Sequence, residues 1–308
     1  MARYFIRRIL SLIPTLFVII TLSFFLIRLA PGDPFSRERD LPEAIRQNLL
    51  KRYDMDKPLV VQYVKYLGNV LKWDLGPSYR NKDYTVNDII DNGFPVSMQL
   101  GITALLLAAV SGVAVGIVSA LKQNKWPDYI AVSIAVVGIS VPLFVIGPVL
   151  QLFFAMRLKI LPLGQWFSTH GLKAIILPAL TLSFPYFAYI ARLSRASILE
   201  VLRSDYVRTA RAKGLKESTV IGKHVLKGAL LPVVTYLGPA FSGIVVGSVV
   251  VETIFLVPGI GRPFVNSAIN RDYTLIMGDV IVYSLILVVA NLIVDVVYGF
   301  LDPRISYK

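Results

Sequence analysis

Residues 93–121 read GFPVSMQLGITALLLAAVSGVAVGIVSAL, 29 positions in a row without a charged side chain. A helix needs roughly 20 apolar residues to cross the hydrocarbon core of a bilayer, so this stretch spans one with residues to spare. Within it Ala104, Ala108, Gly112, Gly116 and Ala120 recur every fourth residue. On a helix that spacing makes one smooth stripe along which another helix backbone can approach closely. Gly243 and Gly247 repeat the device in a later span. The stripe predicts helix packing within the chain, with a subunit interface as the alternative.

Outward from this segment, further uncharged runs cover residues 9–27, 129–156, 174–191 and 228–251. A shorter run, 280–294, lies between Asp279 and Asp295 and becomes a full span with its apolar flanks. The reading is an all-α integral membrane protein with six transmembrane helices. Hydrophobic residues make up 55% of the 308, against 17% charged, where soluble chains carry about 25% charge. Arg3, Arg7 and Arg8 before the first run resemble a signal peptide, but the run is longer than a signal core. Leu29-Ala30-Pro31-Gly32-Asp33-Pro34 follows it in place of a small-residue cleavage site. It is expected to stay as the first helix.

The net charge of +13 would suggest nucleic acid in a soluble protein. In a membrane protein, Lys and Arg collect in short cytoplasmic segments, and no nucleic-acid partner is expected. The N-terminus, the 122–128 turn, the 192–228 segment and the C-terminal tail together hold 16 basic and five acidic residues. Residues 28–93 hold 11 basic and 10 acidic ones. Both termini and the 192–228 loop are therefore expected in the cytoplasm, with 30–94 outside. The domain reading is 1–29 for the N-terminus and first helix, 30–94 for a small external region, and 95–308 for the core. Residues 42–53 and 59–73 of the external region read as helical, with turns at Lys57-Pro58 and Gly76-Pro77.

Cysteine is absent and the two histidines, His170 and His224, are far apart, so no thiolate or histidine metal site and no His-dependent catalytic residue is expected, which leaves a carboxylate-only ion site as the alternative. No G-x-x-x-x-G-K-[ST] loop occurs, and Gly222-Lys223-His224 lacks both the upstream glycine and the hydroxyl. No cofactor is expected on this chain. Prolines 14, 142, 148, 178, 185 and 239 interrupt the spans and can free backbone carbonyls near a substrate cavity. Ser140 and Pro142, with Gln151, form the polar, bent segment expected to line a pathway.

The 192–228 loop departs from a simple basic connection. Residues 198–213 are good helix formers without Pro or Gly, and Gly214 sits where a helix stop belongs. A second helical stretch is expected to end at Pro232. Helix, glycine turn and helix make a compact knob, and the alanines near the turn keep it narrow enough for a groove on another protein.

At these residues the chain resembles a known family. Tyr206-Val207-Arg208-Thr209-Ala210-Arg211-Ala212-Lys213-Gly214, with Ala229-Leu230-Leu231-Pro232, is similar to the E-A-A loop of bacterial ABC importer permeases. Arg208-Thr209-Ala210 stand where Glu-Ala-Ala would be, and Leu-Pro falls late, as in the peptide and nickel group. Leu29–Pro34, Tyr53-Asp54-Met55-Asp56-Lys57-Pro58, Ile254–Gly261 and Asp302-Pro303-Arg304 extend the likeness along the chain, toward the B-type permeases of oligopeptide importers. The resemblance implies a type I importer permease in the bacterial cytoplasmic membrane. Its implied partners are a second homologous permease, two ATPase subunits that bind ATP and Mg, an external solute-binding protein and membrane lipid. It implies ATPase coupling by Asp205, Tyr206, Thr209, Ala210, Ala212, Lys213, Gly214 and Leu215. The cargo would be oligopeptides, with dipeptides, nickel or another small solute as alternatives. An ion-coupled carrier is the rival class and would need ionisable groups deep in the membrane. Glu252, Asp279 and Asp295 are instead expected at span ends, solvated or paired with a nearby arginine.

Overall fold

The computed structural model describes residues 2–29, 47–48, 50–51, 53–81, 83–164, 166 and 171–301, with side-chain surroundings given for all of these except 2–9, 246, 247 and 294–301. The 42–46 part of the first expected external helix, His170, and the tail motif at 302–304 lie outside the described residues, and the surroundings of Gly247 and Asp295 are likewise undescribed.

Helix α1 covers Ala2–Leu29 and α2 covers Leu59–Leu71. Phe24 of α1 is buried against Tyr63 and Tyr66 of α2, with ring centroids 5.3 and 5.5 Å away. Thr21 shares a 2.6 Å hydrogen bond with the Tyr63 hydroxyl. The turn before α2 is braced by Asp54, which pairs with Lys57 and Lys65; these two cations hold its carboxyl down to about 2. Gly76 marks the second expected turn and takes a φ of +85°, which a side chain would disfavour.

Helix α3 runs Val86–Leu121, starting earlier than the uncharged run suggested. The reason is its cap. Thr85 accepts from the Asp88 amide at 3.1 Å, and the Asp88 carboxylate accepts from the Thr85 amide at 2.8 Å. This reciprocal box satisfies two amides that would otherwise be orphaned at the helix start, so two polar turns are recruited ahead of the apolar ones.

The run at 129–156 is not one straight helix. Helix α4, Trp126–Ser140, and α5, Leu143–Leu150, which continues as a π-helical turn over Gln151–Arg157, meet at 112°. Pro142 has no amide to continue the ladder, and Val141 before it is extended at φ −90°, ψ 123°. Helix α6 spans Lys173–Leu202, α7 Asp205–Ala212, α8 Leu231–Phe255, α9 Gly261–Asn270 and α10 Tyr273–Leu301. Pro232 does not end a helix. It lies in the first turn of α8, where its missing amide costs nothing. The helical segment before α8, Glu217–Ala229, meets it at 48°.

Four helices among the described residues are long and apolar enough to cross a membrane, and the two bent pairs raise the number to six if each is one span. The fold is all-helical among the described residues, apart from a single bridge between Pro77 and Thr85.

The core is organised by the pairing of α3 with α6. Ala104, Ala108, Gly112, Gly116 and Ala120 are all buried. A Cβ on Gly112 would stand 2.8 Å from Ile190, and one on Gly116 would stand 2.5 Å from Ser194 and 2.8 Å from the Ala191 carbonyl. The stripe is where the α6 backbone comes closest. Gly243 of α8 differs, since the atoms nearest a Cβ there would belong to a side chain of α6, with the Tyr186 hydroxyl at 2.7 Å.

Candidate functional site

The knob is built by α7, the turn at Gly214 and the return segment. Val207 and Ala210, three residues apart on one face of α7, are buried against Val220, Val225 and Ala229 of the return segment. The same cluster includes Ala120 at the end of α3 and Ile198 of α6, so the knob rests directly on two of the long helices. The opposite face of α7 is open. Tyr206 is half exposed, and Asp205, Arg208, Thr209, Ala212, Lys213 and Leu215 all lie at the surface.

Gly214 ends α7 as a Schellman turn. Its amide donates to the Arg211 carbonyl at 2.9 Å and the Leu215 amide reaches the Ala210 carbonyl at 3.4 Å, with Gly214 at φ +75°. The left-handed backbone there requires glycine. No atom lies within 4 Å of a Cβ built on it, so the requirement is conformational and not one of space. Arg211 then clasps Glu217 across the turn with contacts of 2.6 and 3.2 Å. The pair lowers the Glu217 pKa and raises that of Arg211, each through the hydrogen bond to the other. Being exposed, it adds little stability, and it orients the turn.

Two expectations for this loop are corrected. The helix expected over 198–213 breaks at Ser204, whose hydroxyl donates to the Val201 carbonyl at 2.6 Å and seals the end of α6. Ser204 itself is extended, with ψ 152°, and starts α7 in a new direction. Ala210 does not belong to the open face. Its small size serves packing beneath the knob, so Ala210→Glu would bury a charge and disrupt the knob itself. We expect Ala210→Glu to make the loop protease-sensitive, while Ala212→Glu on the open face leaves its proteolysis pattern unchanged.

Beside the knob lies an ion pair that the charge pattern did not reveal. Asp128 in the first turn of α4 is 2% exposed and receives Arg195 of α6 in a fork, at 2.6 and 2.7 Å. Ser119 of α3 and the Asn124 amide also donate to it. One carboxylate thus ties α3, α4 and α6 together at the knob end. Removing one partner of such a pair costs about 3 kcal/mol, since the other stays without compensation. Asp128→Asn should lower the melting temperature of the purified protein measurably, and an unchanged value would deny the pair its structural role.

At the other end of α3, Glu252 of α8 is fully buried, contrary to the expectation of a solvated span end. Its carboxylate accepts from Ser97 of α3 and from Ser248, both at 2.7 Å, and from the Gly261 amide at 2.9 Å. Ser97 in turn accepts from the Ile260 amide at 3.0 Å. The Pro258-Gly259-Ile260-Gly261 turn is folded onto this carboxylate so tightly that a Cβ on Gly259 would lie 2.3 Å from Ser97. A glutamate followed by Pro-Gly-Ile-Gly was the available signal in the sequence.

Asp279 also departs from expectation. It is fully buried in α10, and neither carboxylate oxygen has a hydrogen-bond partner among the described residues. The expected pathway residues separate as well. Ser140 and Pro142 are exposed at the α4–α5 bend, while Gln151 donates to the Leu163 carbonyl at 2.6 Å and the Ile254 carbonyl at 3.3 Å. Its amide is used to hold the π-helical turn against α8.

Comparison with known proteins matches residues 112–307 to the family described as binding-protein-dependent transport system inner membrane component, and residues 1–101 to the corresponding N-terminal family. The oligopeptide transport system permease protein OppB of Salmonella typhimurium is 48% identical over 307 residues, covering 100% of both chains. The dipeptide transport system permease protein DppB of Bacillus subtilis is 45% identical over 306 residues, covering 99% of this chain and 98% of that one. Among solved structures, an amino acid ABC transporter with histidines aligns with a TM-score of 0.51 over 78% of this chain and 98% of its own. The MetNI methionine ABC transporter, in inward-facing conformations, aligns with a TM-score of 0.54 over 70% and 96%. Both structures are 17% identical to this chain and speak to the fold alone.

Proposed function

The chain belongs to the family of binding-protein-dependent transport system inner membrane components, and on that premise we propose that it is the permease subunit of an ATP-driven peptide importer. In this reading six helices cross the bacterial cytoplasmic membrane, with both termini and the knob in the cytoplasm and residues 30–94 outside. The chain pairs with a second permease of similar fold. Two ATPase subunits bind and hydrolyse ATP with Mg, and an external binding protein delivers the peptide. This chain performs no catalysis of its own.

The observation that carries the reading is the two-sided knob. Its open face, made by Asp205, Tyr206, Arg208, Thr209, Ala212, Lys213 and Leu215, is free to enter a groove on an ATPase, and its inner face is packed on α3 and α6. Movement of the ATPases would push on the knob, and the buried cluster would pass that push to the long helices. Such a device changes which side the pathway opens to only if the ATPases contact the two states differently. Ala212→Glu tests it. ATPase subunits should no longer co-purify with the variant permease, and undiminished co-purification would remove the docking role from this face.

The decisive assay is peptide uptake into proteoliposomes holding the complete complex. Uptake should require ATP inside and the binding protein outside. Relatives described as oligopeptide and as dipeptide permeases make peptides of both lengths the substrates to compare. The ion-coupled alternative has one observation in its favour, the buried Asp279. It predicts uptake by the purified chain alone, driven by an ion gradient without ATP.

A further inference from the structure

At the end of the molecule away from the knob, a cleft of about 580 Å³ opens between α9 and the segment leading into α3. That volume falls among small-molecule sites, about 300–1,000 Å³. Arg262, Asn266 and Asn270 stand four residues apart on the outer face of α9 and form one wall. Arg80, Asn81 and Asn92 form the other. The walls are joined where the Arg80 Nε donates to the Asn270 carbonyl at 3.0 Å. Arg262 is exposed and has no ion-pair or hydrogen-bond partner among the described residues.

The chemistry of this lining is one-sided. Its sole acidic member among the described residues, Asp272, is 1% exposed and already occupied. The Ser78 hydroxyl and the amides of Tyr79, Arg80 and Leu275 donate to it, and the Thr274 hydroxyl, 2.7 Å from the Pro77 carbonyl, lies 3.0 Å away. The cleft therefore offers cations and side-chain amides but no free carboxylate. Cations and amides suit a ligand with a carboxylate and a peptide backbone, because a guanidinium takes a carboxylate in a fork and an Asn side chain can both give to and accept from a peptide unit. With no carboxylate to spare, the cleft does not suit a free ammonium group.

Resting on the peptide-importer reading, we infer that this cleft receives the C-terminal carboxylate of an arriving peptide, with Arg262 as its ionic partner and the asparagines against the last peptide units. A carrier of varied sequences can rely on the groups every linear peptide shares, and a terminal carboxylate is one of them.

The test uses the complete complex in proteoliposomes with tetraalanine, supplied as the free acid and as the C-terminal amide. The readout is the ratio of the two uptake rates in Arg262→Gln relative to the unmodified complex, so that selectivity of the binding protein cancels. The ratio of acid to amide should fall about tenfold, the lower end of the scale of a lost charge-assisted hydrogen bond. Arg262→Lys, which keeps the charge without the fork, should retain part of the preference. An unchanged ratio with uptake intact overturns the cleft assignment alone. Equal slowing of both peptides together with weaker capture of the binding protein also overturns it, and assigns the cleft to an acidic surface of that protein. No ATP-dependent uptake of either peptide by the unmodified complex overturns both readings.

Discussion

Replacing Glu252 with alanine is expected to destabilise the purified protein by about 3 kcal/mol and to stop peptide uptake. The carboxylate is the acceptor that α3, α8 and the turn before α9 share. Without it the Gly261 amide is left buried and unpaired, and the Ser97 hydroxyl loses its acceptor. Ser248 suffers less, because the Val245 carbonyl lies 2.8 Å from its hydroxyl and can take the same hydrogen. Glu252→Gln should be intermediate. One oxygen becomes an amide nitrogen that cannot accept, so the donors on one side of the group lose their acceptor while the shape is kept. Gly259→Ala attacks the same clasp from outside, since its new methyl would overlap Ser97 and the carboxylate. Thermal unfolding in detergent checks all three. A melting temperature unchanged in Glu252→Ala would mean that the turn holds without its acceptor.

Gly116→Val should have a comparable effect through packing alone. Even the first added carbon would stand 2.5 Å from the Ser194 Cβ and 2.8 Å from a backbone oxygen of α6, and backbone cannot rotate away. The helices must part, at a cost of about 3 kcal/mol, the upper end for overpacked cores. The site lies in the turn of α3 just before Ile117 and Ala120, which pack on the knob. Separation of α3 from α6 there should also lower peptide uptake by the complete complex. Gly68→Ala in α2 is the control, because nothing among the described residues lies within 4 Å of its added methyl. If both substitutions lower the melting temperature equally, the close approach of α3 and α6 is not what Gly116 provides.

Much of the architecture was legible because the bilayer enforces it. Uncharged runs of helical length, the four-residue stripe from Ala104 to Ala120 and the glycine stop at 214 each follow from local geometry and need no knowledge of distant contacts. The bend at Val141-Pro142 was half legible. A proline announces a break, but its 112° angle depends on what α5 packs against. The exposed face of α7 was read less well. Thr209, Ala210 and Ala212 look alike in a linear pattern, and only the return segment decides that Ala210 lies underneath.

The charged residues mark the boundary. Counting Lys and Arg predicts a side for each segment, because that prediction needs only the number of basic residues in each connection. It says nothing about Asp128, Glu252, Asp272 and Asp279, all of which are buried here. Whether such a group is solvated, clasped or alone depends on donors 67 residues away for Asp128, 155 for Glu252 and 194 for Asp272. By itself, then, the sequence determined an all-helical membrane chain with a glycine-turned knob, since both follow from interactions within a turn or a span. Only the tertiary structure decided which carboxylates hold helices together and that Arg262 and Arg80 line one cleft. Those arrangements arise when segments remote in the chain meet in an interior where a polar group must find its partner or stay without one.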